Sequence, residues 1–125
     1  MLNFLEEKKL RRKDIKIALN TGYSKDIQEN LIRKFNLNDC IDDYISSQDV
    51  IKGRPKPFMI HELMKRNNIE SSRNVVKVGD TKNDILEGIY SKCGLTVGVL
   101  SGNSSRYDLL GADIIVNKII DLDLL

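Results

Sequence analysis

The stretch that most constrains this chain is Val75-Val76-Lys77-Val78-Gly79-Asp80-Thr81-Lys82-Asn83-Asp84-Ile85-Leu86-Glu87-Gly88. Its first four residues are rich in β-branched valine, which suits a strand. Gly79 and Asp80 stop that strand, and the residues that follow have the apolar spacing of a helix. Two acids, Asp80 and Asp84, therefore stand where a strand hands over to a helix. In an open parallel sheet, ligands are bound at the carboxyl ends of the strands.

The rest of the chain repeats the strand-to-helix order. Met1 to about Arg12 reads as a short helix resting on Leu2, Leu5 and Leu10. Ile15 to Leu19 alternates into a strand ending at Asn20-Thr21-Gly22. Ser24 is placed to cap a helix with Asp26 in its first turn and Ile27, Leu31 and Phe35 along one stripe. Tyr44-Ile45-Ser46 reads as a second strand. The two prolines of Lys52-Gly53-Arg54-Pro55-Lys56-Pro57 break regular structure, and Met59, Ile60, Leu63 and Met64 then form a helical stripe. After the opening stretch, whose helix should turn Ile85, Leu86, Ile89, Tyr90 and Cys93 inward, Leu95 to Leu100 reads as a strand buried on both faces. Ser101-Gly102 should turn into a short helix around Tyr107, Leu109 and Leu110. Asp113 to Val116 closes the series as a fifth strand before a leucine-rich tail. Strands alternating with helices predict an α/β fold, with a parallel sheet and right-handed crossovers.

Length and charge narrow the classes. With 125 residues there is room for one domain with a core, and the whole span 1–125 reads as a single one. A net charge of +2 from mixed Lys, Arg, Asp and Glu gives no clustered basic face of the kind nucleic acid requires. The start is too charged for a signal peptide, and no apolar run is long enough to cross a membrane. The two cysteines, Cys40 and Cys93, lack metal-type spacing and are too few for a disulfide scaffold. A soluble, cytoplasmic protein with reduced thiols is expected.

Four positions carry candidate chemistry. A carboxylate at a strand end beside a helix N-terminus is kept ionised by free amides and the helix dipole, so Asp80 and Asp84 suit a hard cation such as Mg²⁺. Thr21, beside Gly22, puts a hydroxyl next to unpaired amides where a phosphoryl oxygen can sit. Arg54, held between Gly53 and Pro55, aims a guanidinium suited to phosphate, with Lys56 as a competitor for that role. His61 is the only histidine and reads as a surface or helix-face residue, so no Ser-His-Asp arrangement can be argued from it. No G-x-G-x-x-G or P-loop sequence is present.

Thr21 at a strand end, then Gly53-Arg54-Pro55, then Val78-Gly79-Asp80-Thr81-x-Asn83-Asp84, in that order, resembles the haloacid-dehalogenase superfamily of phosphohydrolases. The Gly-Arg-Pro run before Pro57-Phe58-Met59, with Thr96-Val97-Gly98-Val99-Leu100-Ser101-Gly102 later on, is most similar to its phosphonatase-like branch. The resemblance implies a Rossmann-like three-layer fold and a small phosphorylated or phosphonate metabolite as substrate. It also implies an aspartate nucleophile that forms an aspartyl phosphate, which water then hydrolyses. By the same resemblance Asn20, Thr21, Gly22 and Arg54 would bind phosphate, with Thr21 and Arg54 serving catalysis. Asp80 would ligate Mg²⁺, and Asp84 would complete or orient that site.

The family's Asp-x-Asp motif near the N-terminus has no counterpart before Thr21. The chain is thus expected to be the C-terminal part of a core lacking its nucleophile strand and cap, inactive as it stands. Loss of a central strand should leave two long apolar edges and marginal stability. A complementing chain or a homo-oligomer is the expected remedy. Two other readings follow from the same residues. One is a phosphate- or metal-binding module without turnover. The other is a response-regulator receiver, which needs acids after the first strand, where this chain has Thr21.

Overall fold

The computed structural model describes residues 15–100 and 104–122. The helix expected over Met1 to Arg12, the Ser101-Gly102 turn and the end of the leucine-rich tail lie outside the described residues. Among the described residues five strands and three α-helices follow in order: β1 (Ala18–Thr21), α1 (Lys25–Lys34), β2 (Asp43–Ser46), α2 (Phe58–Arg66), β3 (Val76–Gly79), α3 (Lys82–Tyr90), β4 (Leu95–Val99) and β5 (Ile114–Val116). Every strand pairing is parallel. The α/β expectation therefore holds.

The strands form two sheets rather than one. β1 pairs with β2, Ala18 opposite Asp43 and Thr21 opposite Ser46. β3 pairs with β4, Val76 opposite Leu95, and β4 pairs with β5, Val97 opposite Ile114. Neither β1 nor β3 carries a ladder on its second edge among the described residues. Those edges are only four residues long, and a partly buried polar link joins them in place of the long apolar edges expected.

Local chemistry explains the elements. Ser24 caps α1 by accepting the Ile27 N–H, with Asp26 in the first turn and Arg33 and Lys34 in the last, where each sign suits the helix dipole. β4 is buried over most of its length, as its apolar run requires, and Ile45, Met59, Ile85, Val97 and Leu109 are the largest fully buried apolar side chains. Each such side chain contributes roughly 1.5–3 kcal/mol relative to exposure.

Three expectations are corrected. Ile27, Leu31 and Phe35 are exposed, because α1 turns Gln28 and Ile32 inward instead. The Gln28 amide earns that place by donating to the Ile45 carbonyl at 2.9 Å, satisfying a buried strand oxygen. Ile89 and Tyr90 likewise face outward while Ile85 is buried, since Glu87 and Gly88 occupy the inward face of α3. Around Tyr107, Leu109 and Leu110 there is no helix, only turns closed by Leu109 N–H to Arg106 O and Leu110 N–H to Tyr107 O. Gly111, at φ 102°, ends them in a conformation that a helix cannot continue.

Candidate active site

The end of β3 and the start of α3 are built around Asp84. Thr81 is the N-cap of α3; its hydroxyl accepts the Asp84 N–H at 3.2 Å. Asp84 Oδ2 in return receives the Asp80 N–H at 3.1 Å, the Thr81 N–H at 3.2 Å and the Thr81 hydroxyl at 2.9 Å. Asp84 Oδ1 takes the Arg54 guanidinium and lies 3.5 Å from Lys77 Nζ. Burial alone would raise the Asp84 pKa. The Lys77 and Arg54 charges and the donors from Arg54 and Thr81 outweigh it, so the carboxyl is held below its ordinary value.

Asp84 is thus fully engaged, whereas the Asp80 carboxylate is exposed and has no hydrogen-bond or ion-pair partner among the described residues. Gly79 makes the tight strand end possible, because a Cβ there would collide with the Asp84 side chain. No group of three or more His, Cys, Asp or Glu able to hold a metal occurs among the described residues. Mg²⁺ characteristically takes one or two carboxylates and fills its octahedron with water and phosphate oxygen. Asp80 fits one of those positions.

The carboxyl ends of β1 and β2 are pinned together beside this turn. The Ser46 hydroxyl donates to the Tyr23 carbonyl at 2.7 Å, and the Ser47 hydroxyl to the Gly22 carbonyl at 3.1 Å. The Thr21 hydroxyl accepts the Tyr23 N–H at 3.1 Å, which leaves its own hydrogen available to donate. Arg54, joined to Pro55 by a cis peptide, reaches across so that a Cβ on Gly22 would lie 3.3 Å from its Nη2. A cavity of about 620 Å³ opens here, walled by Gly22, Ser47, Gly53, Arg54, Thr81, Lys82 and Asn83, with no acidic residue in its lining.

Asn20 is placed differently from a phosphate ligand. Its amide donates to Glu87 Oε1 at 3.0 Å and Oε2 at 2.9 Å, and its carbonyl oxygen accepts Lys77 Nζ at 3.0 Å. Lys77 also meets Glu87 Oε1 at 2.8 Å. Lys56 and His61 are exposed, and neither lines the cavity. The adjacent pair Asp42-Asp43 lies at the opposite, amino end of the strands. There Asp42 accepts the Ile17 N–H, while Asp43 accepts from Arg66 and Asn67. The chain's Asp-x-Asp triplet, Asp121-Leu122-Asp123, follows β5, and Asp121 accepts the Lys118 N–H there.

Sequence reasoning passed over Lys77, Glu87 and Ser47. A lysine inside a valine strand was the available signal, since a buried ammonium needs a carboxylate, and Glu87 lies on the helix that packs against that strand.

A family model described as haloacid dehalogenase-like hydrolase matches residues 3–99. The chain belongs to that family. Phosphonoacetaldehyde hydrolase of Bacteroides fragilis is 34% identical over 97 residues, which are 77% of this chain and 36% of that protein. The enzyme of the same name from Bacillus cytotoxicus is 36% identical over 97 residues, 76% of this chain and 36% of that protein. The chain thus spans about a third of the length of these curated relatives. Among solved structures, a haloacid dehalogenase-like hydrolase from Bacteroides fragilis superposes with a TM-score of 0.84 at 20% identity, over 96% of this chain and 56% of that one. A phosphonoacetaldehyde hydrolase-like protein from Oleispira antarctica gives 0.78 at 23% identity, over 97% and 52%. These likenesses extend the family's Rossmann-like fold to this chain. No helix among the described residues is long and apolar enough to cross a membrane.

Proposed function

We propose that this chain carries the phosphate- and magnesium-binding side of a phosphonatase-like phosphohydrolase acting on a small phosphorylated or phosphonate metabolite. The observation that carries the reading is the division of labour between Asp80 and Asp84. Four hydrogen-bond donors and the Lys77 ammonium fix Asp84, and it in turn fixes the backbone of Asp80, whose carboxylate has no partner among the described residues. Mg²⁺, when bound, would supply Lewis-acid stabilisation of charge on the phosphoryl oxygens. Asp80 would hold it, and Asp84 would orient Asp80 through the turn. Thr21 would donate its hydroxyl hydrogen to a phosphoryl oxygen, the backbone at Gly22 would border the group, and Arg54 would balance its charge.

The phosphoryl acceptor in this proposal is an aspartate on an acidic strand placed between β1 and β3, and no residue in 15–21 supplies it. The chain alone is then a binding unit without turnover. The second edges of β1 and β3, which carry no ladder among the described residues, favour completion by an added strand.

Binding tests this directly. Inorganic phosphate titrated into the chain by calorimetry is expected to bind, and Arg54→Ala is expected to weaken it by about tenfold or more, the loss of a charge-assisted contact. Mg²⁺ is expected to tighten phosphate binding in the wild-type chain and to have no effect in Asp80→Asn. Absence of phosphate binding, or an equal Mg²⁺ effect in both chains, would refute the reading.

A further inference from the structure

We propose that Lys77 is a positioning residue that lets Arg54 leave Asp84 and engage an anion in the cavity; the inference rests on the phosphate reading of Arg54. Asp84 is 4% exposed, so its carboxylate requires a counter-charge at all times. Two cations share its Oδ1, and they differ in freedom. Lys77 is 7% exposed, sits on β3, and is fastened to Glu87 at 2.8 Å and Asn20 at 3.0 Å. Arg54 belongs to a loop, lines the 620 Å³ cavity and keeps 24% of its side chain exposed.

An anion entering that cavity competes with Asp84 for the guanidinium. If Arg54 turns toward it, Asp84 keeps the Lys77 charge and the three donors on Oδ2. Without Lys77, the same movement would strand a buried carboxylate, and the guanidinium would stay where it is. Glu87 and Asn20 make this work by holding Lys77 still, so that it guards Asp84 and does not follow the anion. None of the three lines the cavity. Their effect on binding passes through Arg54.

The test is inorganic phosphate affinity measured in EDTA on the whole chain. Lys77→Met/Glu87→Gln removes the charge pair together, so that neither partner is left ionised and buried alone. It is expected to weaken phosphate binding by about tenfold or more, with an unchanged far-ultraviolet circular dichroism spectrum. Adding Asp84→Asn to that pair removes the need for a counter-charge, and affinity is expected to return to within about threefold of wild type. A purely structural role for Lys77 predicts no such return. Asp84→Asn alone is expected to bind phosphate at least as tightly as wild type, which tests the same competition if the double variant does not fold. Wild-type affinity in a folded Lys77→Met/Glu87→Gln chain, no return in the triple variant, or weakened binding in Asp84→Asn would each overturn the inference. A wild-type chain that binds no phosphate would instead remove the functional reading on which it rests.

Discussion

The amide of Asn20 and the carboxylate of Glu87, 67 positions apart, are joined by two hydrogen bonds of 3.0 and 2.9 Å. They link β1 to α3, and with Lys77 they join the two sheets at edges where no backbone ladder does so among the described residues. Glu87 is fully buried, and these partners satisfy its carboxylate oxygens.

Glu87→Ala should therefore destabilise the fold by about 3 kcal/mol, because it leaves the Asn20 amide unpaired and takes from the buried Lys77 ammonium its 2.8 Å carboxylate, so that only Asp84 at 3.5 Å and the Asn20 carbonyl remain to it. Lys77→Met/Glu87→Leu should cost less, since the charge pair is removed together and the buried Asp84 keeps Arg54 as its counter-charge. Urea denaturation of the two variants measures the difference. Equal losses would show that the pair matters only as packed volume.

Thr81→Ala tests the capping box. The variant loses the acceptor for the Asp84 N–H and one donor to Asp84 Oδ2, and should lose about 1 kcal/mol of stability. Thr81→Ser, which keeps the hydroxyl, should stay near wild type. Chemical denaturation midpoints report both.

Acid should expose the Asp84 interactions. Its folded pKa lies below the ordinary 3.8, so its contribution is present above that value and lost as pH falls toward the folded pKa. The stability difference between wild type and Asp84→Asn should therefore narrow as pH is lowered from neutrality to below 3.8. A difference that stays constant over that window would mean the Asp84 charge is not stabilising the fold.

Cys93 is half-buried, and burial, opposed in part by Lys77 and reinforced by Glu87, raises its thiol from 9.0 to about 11. That rise leaves about a hundredfold less thiolate at neutral pH than in the unfolded chain. Iodoacetamide should label Cys93 slowly in the folded protein and rapidly in urea, read by peptide mass. Similar rates in both states would contradict the burial seen here.

What could be read from the sequence followed from local chemistry. Val75 to Asp84 announced strand, turn and helix because valine and glycine each act on their own backbone and the apolar spacing that follows is helical. The same run marked Asp80 and Asp84. It could not reveal that four donors and a lysine occupy Asp84 while the Asp80 carboxylate has no partner among the described residues, because Arg54 and Lys77 arrive from other elements. Ile89 and Tyr90 followed the apolar pattern yet face outward, since the inward face of α3 is taken by Glu87 and Gly88. Gln28 displaced an apolar stripe in the same way, by answering a strand carbonyl from a helix. The division into two sheets also depends on pairings between distant segments, which periodicity does not encode.

Hydrolysis of p-nitrophenyl phosphate by the chain extended ahead of Met1 with an Asp-x-Asp strand tests the central claim most directly. The extended protein should turn over substrate only with Mg²⁺, and Asp80→Asn should lower kcat by about a hundredfold or more, as expected for loss of a metal ligand. A folded extended protein with no activity, or with activity indifferent to Asp80→Asn, would contradict it.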